Sequence, residues 1–129
     1  MIAPLRFFGP VALALVIGLG WSFEAAAGKA SVVGAKATSG GGGTYSFSAS
    51  VDHADTGWDH YANKFEILTP DGKVLGTRVL FHPHVGERPF TRSLGGVKIP
   101  SGMTSVIVRA WDSVHKAGDK TFTVKLPGR

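Results

Sequence analysis

The segment TYSFSASVD, Thr44–Asp52, decides the fold, because apolar and polar side chains alternate along its whole length. Its odd-numbered residues, from Tyr45 to Val51, are apolar, and its even-numbered residues are polar. Successive side chains of a β-strand point to opposite faces, so the alternation predicts a strand with one buried and one solvated face. Residues 121–126 repeat the pattern and predict a second strand of the same kind.

Five further β-strands are indicated by β-branched runs and by the turn residues between them. They are predicted at Ala30–Thr38, Tyr61–Leu68, Lys73–Phe81, Phe90–Ile99 and Thr104–Asp112. Pro70-Asp71-Gly72 is a hairpin signal, because Pro fixes φ and Gly supplies a positive φ. Seven strands in about 100 residues are typical of an immunoglobulin-like or fibronectin type III-like sandwich. We therefore predict an all-β protein with one seven-stranded antiparallel sandwich domain over residues 28–129.

Residues 1–27 have the three parts of a secretory signal peptide. Arg6 precedes an uncharged apolar run, Phe7–Phe23, and Ala25-Ala26-Ala27 supplies small residues before Gly28. The pattern predicts cleavage before Gly28 and a periplasmic or secreted protein with no membrane span after cleavage. Retention of the run as a membrane anchor stays open as the alternative.

Composition excludes several classes of function. The chain has no cysteine, which excludes a disulfide-stapled fold, a cysteine-based metal centre and a cysteine nucleophile. It carries 14 Lys and Arg against 9 Asp and Glu, a formal net charge of +5. These basic residues are spread along the chain rather than clustered, so the sequence predicts no nucleic-acid partner.

The histidines are predicted to meet at one end of the sandwich. In an antiparallel sandwich the loops after strands two, four and six lie at the same end, even when they belong to different sheets. All five histidines fall in these three loops, together with most of the acidic residues. The candidate metal ligands are His53, His60, His82, His84, His115 and Asp112.

Imidazole and carboxylate groups are ligands for zinc and for copper(II). His82 and His84 flank Pro83, and residues two apart in an extended segment point the same way, so the pair could hold one ion. Asp112 and His115 could add a ligand or orient an imidazole. The sequence therefore predicts a small binding module for zinc, copper or another ligand, with no catalytic residue assigned. An ordered polar loop cluster without metal, a structural or docking partner of a periplasmic carrier protein, and a small metal-dependent enzyme remain the alternatives.

Several short motifs between His53 and Pro127 carry a resemblance to other proteins. They include Asp59-His60-Tyr61, Pro70-Asp71-Gly72, His82-Pro83-His84-Val85 and Asp112-Ser113-Val114-His115. Together they resemble a group of small exported bacterial proteins of unknown function. The resemblance implies export and includes the histidine-bearing segments, but it implies no activity.

A second set of motifs is similar to another family. These motifs are Asp55-Thr56-Gly57, Asn63-Lys64-Phe65, Gly72-Lys73-Val74 and Pro89-Phe90. They are scattered, and they resemble the Z subunit of the periplasmic thiosulfate-oxidation carrier, an immunoglobulin-like protein. This resemblance implies a non-catalytic docking partner of a carrier protein.

Overall fold

A computed structural model describes residues 28–129; the predicted signal peptide, residues 1–27, lies outside the described residues. The described part of the chain folds into eight strands: β1 (Ser31–Gly41), β2 (Thr44–Asp52), β3 (Ala62–Leu68), β4 (Val74–Val79), β5 (Phe90–Lys98), β6 (Ser105–Asp112), β7 (Lys116–Ala117) and β8 (Phe122–Lys125). It contains no helix, so the prediction of an all-β protein is confirmed. Accordingly, residues 28–129 include no helix with the length and apolar character needed to cross a membrane.

The strands form two sheets, and every pairing is antiparallel. The three-stranded sheet has the order β1-β2-β5. In the five-stranded sheet the order is β4-β3-β6-β7, and β8 also pairs with β6. β6 is therefore central in the larger sheet, with β3 on one side and both β7 and β8 on the other.

The eighth strand is the one that the sequence did not predict. Lys116 and Ala117 form β7, which pairs back onto Asp112 and Trp111 at the end of β6. Lys116 has a positive φ of 68°, so the chain reverses tightly at this point. A reversal this short has neither the alternating pattern nor the β-branched run from which the seven other strands were predicted.

Buried side chains from both sheets form one hydrophobic core. In β2 the apolar residues from Tyr45 to Val51 are all buried, as the alternation predicts. Phe65 of β3 and Val108 of β6, from the other sheet, are 0% exposed and belong to the same core. Each fully buried side chain of this type stabilises the folded chain by about 1.5–3 kcal/mol.

At one end of the core the buried positions become polar. The core-facing alternation of β2 continues past the strand into His53 and Asp55, which are 2% and 6% exposed. On β6 the buried series Val106, Val108 and Ala110 ends in Asp112, which is 0% exposed. Two strands from opposite sheets thus place ionisable side chains where the pattern would otherwise require apolar ones. This polar end of the core holds the candidate site.

Candidate metal centre

The Asp112 carboxylate lies at the centre of the polar end. Its Oδ2 accepts hydrogen bonds from His60 Nε2 at 2.7 Å and from His115 Nδ1 at 3.1 Å. The same oxygen accepts the backbone amides of Val114 at 3.1 Å and His115 at 2.8 Å, which closes the reversal between β6 and β7. Oδ1 is buried and has no hydrogen-bond partner among residues 28–129. One oxygen of this carboxylate is therefore crowded with donors while the other has none.

The charge of Asp112 is stabilised despite its burial. Burial alone would raise the pKa of this carboxyl group. The hydrogen bonds from the His115 amide, the His60 ring, the Val114 amide and the His115 ring outweigh burial and hold the pKa of Asp112 below its ordinary value. The side chain is therefore a carboxylate at neutral pH, the form that binds a metal ion.

His53 stands behind His60, with the two ring centres 4.8 Å apart. Its Nδ1 lies 2.5 Å from Asp55 Oδ1, and its Nε2 lies 2.9 Å from the carbonyl oxygen of Gly28. Both partners only accept hydrogen bonds, so both contacts are satisfied only when both ring nitrogens carry hydrogen. His53 can therefore become a metal ligand only if Gly28 or Asp55 moves away from it.

Asp55 connects the loops and was not among the predicted ligands. Its Oδ1 accepts the amide of Ala62 at 2.9 Å as well as His53, and its Oδ2 accepts the amide of His84 at 2.8 Å. Asp55 thus ties the segment after β2 to β3 and to the segment after β4. Its position on the continued β2 alternation is the sequence signal that could have identified it.

His82 and His84 form a separate pair. The ring centres of these two residues are 4.6 Å apart, and the ring of His84 stacks on Phe90 at 4.1 Å with an interplanar angle of 10°. His82 is exposed, whereas His84 is only 4% exposed. Burial is the first cause that lowers the pKa of His84, and Arg92 and His82 act in the same direction. His84 is therefore a neutral imidazole at pH 7.

The structure brings all six predicted ligands to one end but divides them into two groups. We call Asp112, His60, His115 and His53 the Asp112 cluster. The rings of His60 and His115 are 4.9 Å apart, and potential ligand atoms of His53, His60 and Asp112 lie within 4.8 Å of one another. The second group is the His82–His84 pair, which is joined to the Asp112 cluster through Asp55.

The Asp112 cluster has spacings close to those of a metal site. Nitrogen ligands lie about 2.0–2.1 Å from zinc, so neighbouring ligand atoms of a tetrahedral site are about 3.3 Å apart. The separations of 2.7 and 3.1 Å between Asp112 Oδ2 and the two imidazole nitrogens are a few tenths of an ångström shorter. A small outward movement of His60 and His115, of which the latter has a 38% exposed side chain, would make room for an ion. The donor set therefore fits zinc or copper(II).

An aromatic surface lies beside this end of the molecule. Trp58 and Phe81 are 67% and 76% exposed, and Trp58 contacts Tyr61 edge to face at 5.6 Å. Tyr61 and Phe81 line a groove of about 390 Å³. The Lys64 ammonium lies 4.0 Å from the ring centre of Trp111, which also lines the groove. Exposed aromatic side chains of this kind are common at sites that bind other molecules.

Comparison with known proteins gives one informative similarity. The chain is 38% identical over 96 residues to a protein of Halomicrobium mukohataei named "Putative lipoprotein". The match covers 74% of this chain and 47% of that protein, so the chain spans about half the length of the curated relative it matches. No family model matches the chain, and no solved structure matches it. These comparisons establish neither an immunoglobulin-like family nor the family of the Z subunit.

Proposed function

We propose that the protein is an exported metal-binding module in which the Asp112 cluster binds one divalent ion, either zinc or copper(II). The observation that carries the proposal is the state of the Asp112 carboxylate. It is 0% exposed, two imidazoles converge on Oδ2, and Oδ1 lacks a hydrogen-bond partner within residues 28–129. We further propose that the two-sheet fold is of the immunoglobulin-like or fibronectin type III-like class.

Physical chemistry favours an ion at this position. A buried polar atom without a partner costs about 1–3 kcal/mol, and a cation beside the carboxylate would remove that cost. The candidate ligand atoms are the oxygens of Asp112, Nε2 of His60 and Nδ1 of His115. The two nitrogens donate hydrogen bonds to Asp112 in this structure, so each must carry its hydrogen on the other ring nitrogen before it binds a metal. Only a neutral imidazole can bind the ion, so metal binding is expected to weaken in acid.

Export is the second part of the proposal. The predicted signal peptide supports it, and so does the similarity to a protein named as a lipoprotein. Outside the cytoplasm, imidazole and carboxylate ligands suit zinc and copper(II), and the sequence contains no thiol that would compete with them.

Metal analysis with two variants tests the proposal. The full chain is produced with its leader, purified without a histidine tag, and titrated with zinc after chelator treatment. We expect one zinc per chain, loss of this binding in the double variant His60→Ala/His115→Ala, and retention in the control His82→Ala. Equal zinc binding by the double variant, or failure of the wild-type chain to bind either zinc or copper(II), would contradict the proposal.

Docking to a protein partner is the second candidate function, and the exposure of Trp58 and Phe81 favours it. A docking module should retain its partner in the presence of a chelator and lose it on the double substitution Trp58→Ser/Phe81→Ser. Crosslinking in the producing cell, followed by identification of captured proteins, distinguishes this function from metal binding. No observation favours the third alternative, a metal-dependent enzyme, over these two.

A further inference from the structure

The imidazole of His84 is a buried polar group that nothing within residues 28–129 satisfies. The residue is 4% exposed, and neither Nδ1 nor Nε2 has a hydrogen-bond partner in this part of the chain. Buried polar groups are normally hydrogen-bonded, and a neutral imidazole offers one donor and one acceptor. An imidazole with both nitrogens unsatisfied has a donor and an acceptor available to a partner other than the described residues.

The His84 ring is held in place from two sides. Its backbone amide donates to Asp55 Oδ2 at 2.8 Å, and its ring stacks on Phe90 of β5 at 4.1 Å. Asp55 is in turn fixed by His53 and by the amide of Ala62. Because the ring is already ordered, binding of a ligand to it loses little conformational entropy.

His82 supplies a second imidazole at the surface. Its Nδ1 lies 3.1 Å from the carbonyl oxygen of Pro83, and a carbonyl only accepts, so Nδ1 carries the hydrogen. In the neutral form Nε2 therefore has the free lone pair. His82 is exposed, so this nitrogen can turn toward an incoming ion without disturbing the core.

The spacing of the two rings suits one ion bound in adjacent positions. With a metal–nitrogen distance of about 2.0 Å, the centre of an imidazole ring lies about 3.2 Å from the ion. Two rings on one ion then have centres about 4.5 Å apart at a 90° angle and about 5.2 Å apart at the tetrahedral angle. The observed separation between His82 and His84 is 4.6 Å, close to the 90° value. Angles of 90° are those of square-planar copper(II).

We propose that His82 and His84 form a second metal site, distinct from the Asp112 cluster, that binds copper(II) through two imidazoles in adjacent positions. Glu87 is exposed nearby: its amide donates to the His84 carbonyl at 3.3 Å, and its carboxylate lies 3.9 Å from the Arg92 guanidinium. Copper(II) binds nitrogen ligands more tightly than zinc does, so a site with only two imidazoles is expected to bind copper(II) with higher affinity than zinc. The site stands whether or not the Asp112 cluster binds an ion.

Both proposed sites contact Asp55, but they have no ligand residue in common. Both oxygens of Asp55 accept hydrogen bonds, one from His53 and Ala62 and the other from His84. Asp55 therefore holds the His82–His84 pair in position beside the Asp112 cluster. Each site can be emptied by substitution without removing a ligand of the other.

Copper titration of the full chain in two variant backgrounds tests this second site. In the first, His60→Ala/His115→Ala, the Asp112 cluster loses two imidazoles while His82 and His84 remain. We expect this variant to bind one copper(II) with an electron paramagnetic resonance spectrum characteristic of two nitrogen ligands. Adding His82→Ala to the same background should weaken copper binding at least about tenfold, since even indirect support of a metal site is worth that much. His82 is exposed, so this substitution leaves the fold intact, which circular dichroism verifies for each variant.

The outcomes separate the two proposals. If His60→Ala/His115→Ala binds no copper, or if adding His82→Ala leaves copper affinity unchanged, the second site is wrong even when zinc binds at the Asp112 cluster. If the wild-type chain binds no zinc, and its copper binding depends on His82 but is unchanged by His60→Ala/His115→Ala, the proposed function at Asp112 is wrong and the second site holds. A spectrum with one nitrogen ligand would also overturn the proposal, because it would exclude joint binding by His82 and His84.

Discussion

Replacing Asp112 by Asn tests both the structural and the metal-binding role of this carboxylate. The substitution keeps the size of the side chain and removes its charge. Oδ2 accepts four hydrogen bonds, from the amides of Val114 and His115 and from the rings of His60 and His115. Hydrogen bonds to a charged acceptor contribute about 1.5–3 kcal/mol, against about 0.5–1.5 kcal/mol for neutral pairs. The expected loss is therefore about 1 kcal/mol for each well-shielded bond.

The magnitude follows from which bonds are shielded. The two amides and the His60 ring, whose side chain is 15% exposed, are shielded, whereas the His115 side chain is 38% exposed and contributes less. Because all four donors share one oxygen, we expect a total loss of about 2 kcal/mol in the free energy of unfolding. For a domain of this size that loss lowers the melting temperature by roughly 8–16 °C.

The assay is urea unfolding of the full chain, with and without zinc. Zinc at 100 times its dissociation constant should stabilise the wild type by about 2.7 kcal/mol and leave Asp112→Asn unchanged. Asp59→Asn is the matched control, because Asp59 is an exposed carboxylate in the same region. If Asp112→Asn is as stable as this control without metal, or gains the full stabilisation with zinc, the reasoning about Asp112 is refuted.

Three further measurements address protonation and packing. The pKa of Asp112 is lowered in the folded state, so the carboxylate contributes to stability above its ordinary pKa of 3.8. This contribution is lost as the pH falls through the pKa of the folded state. In acid unfolding, Asp112→Asn should therefore show a flatter dependence of stability on pH than the wild type. The pKa of His84 is lowered from 6.5, so the chelator-treated wild type should lose stability as the pH falls below 6.5. His84→Gln should lose this pH dependence, whereas His82→Gln should keep it. The measurement is the free energy of unfolding of each variant at two pH values. A Cβ at Gly118 would lie 2.0 Å from the carbonyl oxygen of Ala30, whereas the nearest atom to a Cβ at Gly34 would be 3.9 Å away. Gly118→Ala should therefore lower the melting temperature by several degrees more than Gly34→Ala. Equal melting temperatures of the two variants would contradict the close packing at Gly118.

Alternation in two segments, with β-branched runs and turn residues in the others, made most of the fold predictable from sequence. The buried set of β2, from Tyr45 to Val51, follows the pattern residue by residue, because successive side chains of a strand point to opposite faces and one face of β2 packs into the core. β7 was not predictable in this way. Its two residues follow a tight reversal that is closed by hydrogen bonds from the Val114 and His115 amides to Asp112, and such a reversal leaves no periodic signal.

The candidate site was predictable in its location and not in its internal arrangement. Strand parity indicated which loops would meet, but the division into two groups depends on irregular backbone. Leu80–Val85 contains no strand, so the rule that residues two apart share a face does not apply there; His84 is buried while His82 is exposed. The linking role of Asp55 depends on three hydrogen bonds from distant segments, which only the three-dimensional arrangement reveals.

The polar end of the core also makes one part of the molecule less stable in acid than the other. Over most of the interior, cohesion comes from apolar burial, which varies little with acidity. At the polar end it comes from charged hydrogen bonds around Asp112, which acid removes. Acid should therefore open the molecule from this end first, and the amides of Val114 and His115 should exchange with solvent before those in the middle of β2. If the Asp112 cluster binds an ion as proposed, opening at this end would release the ion in acid while the apolar part of the core stays folded.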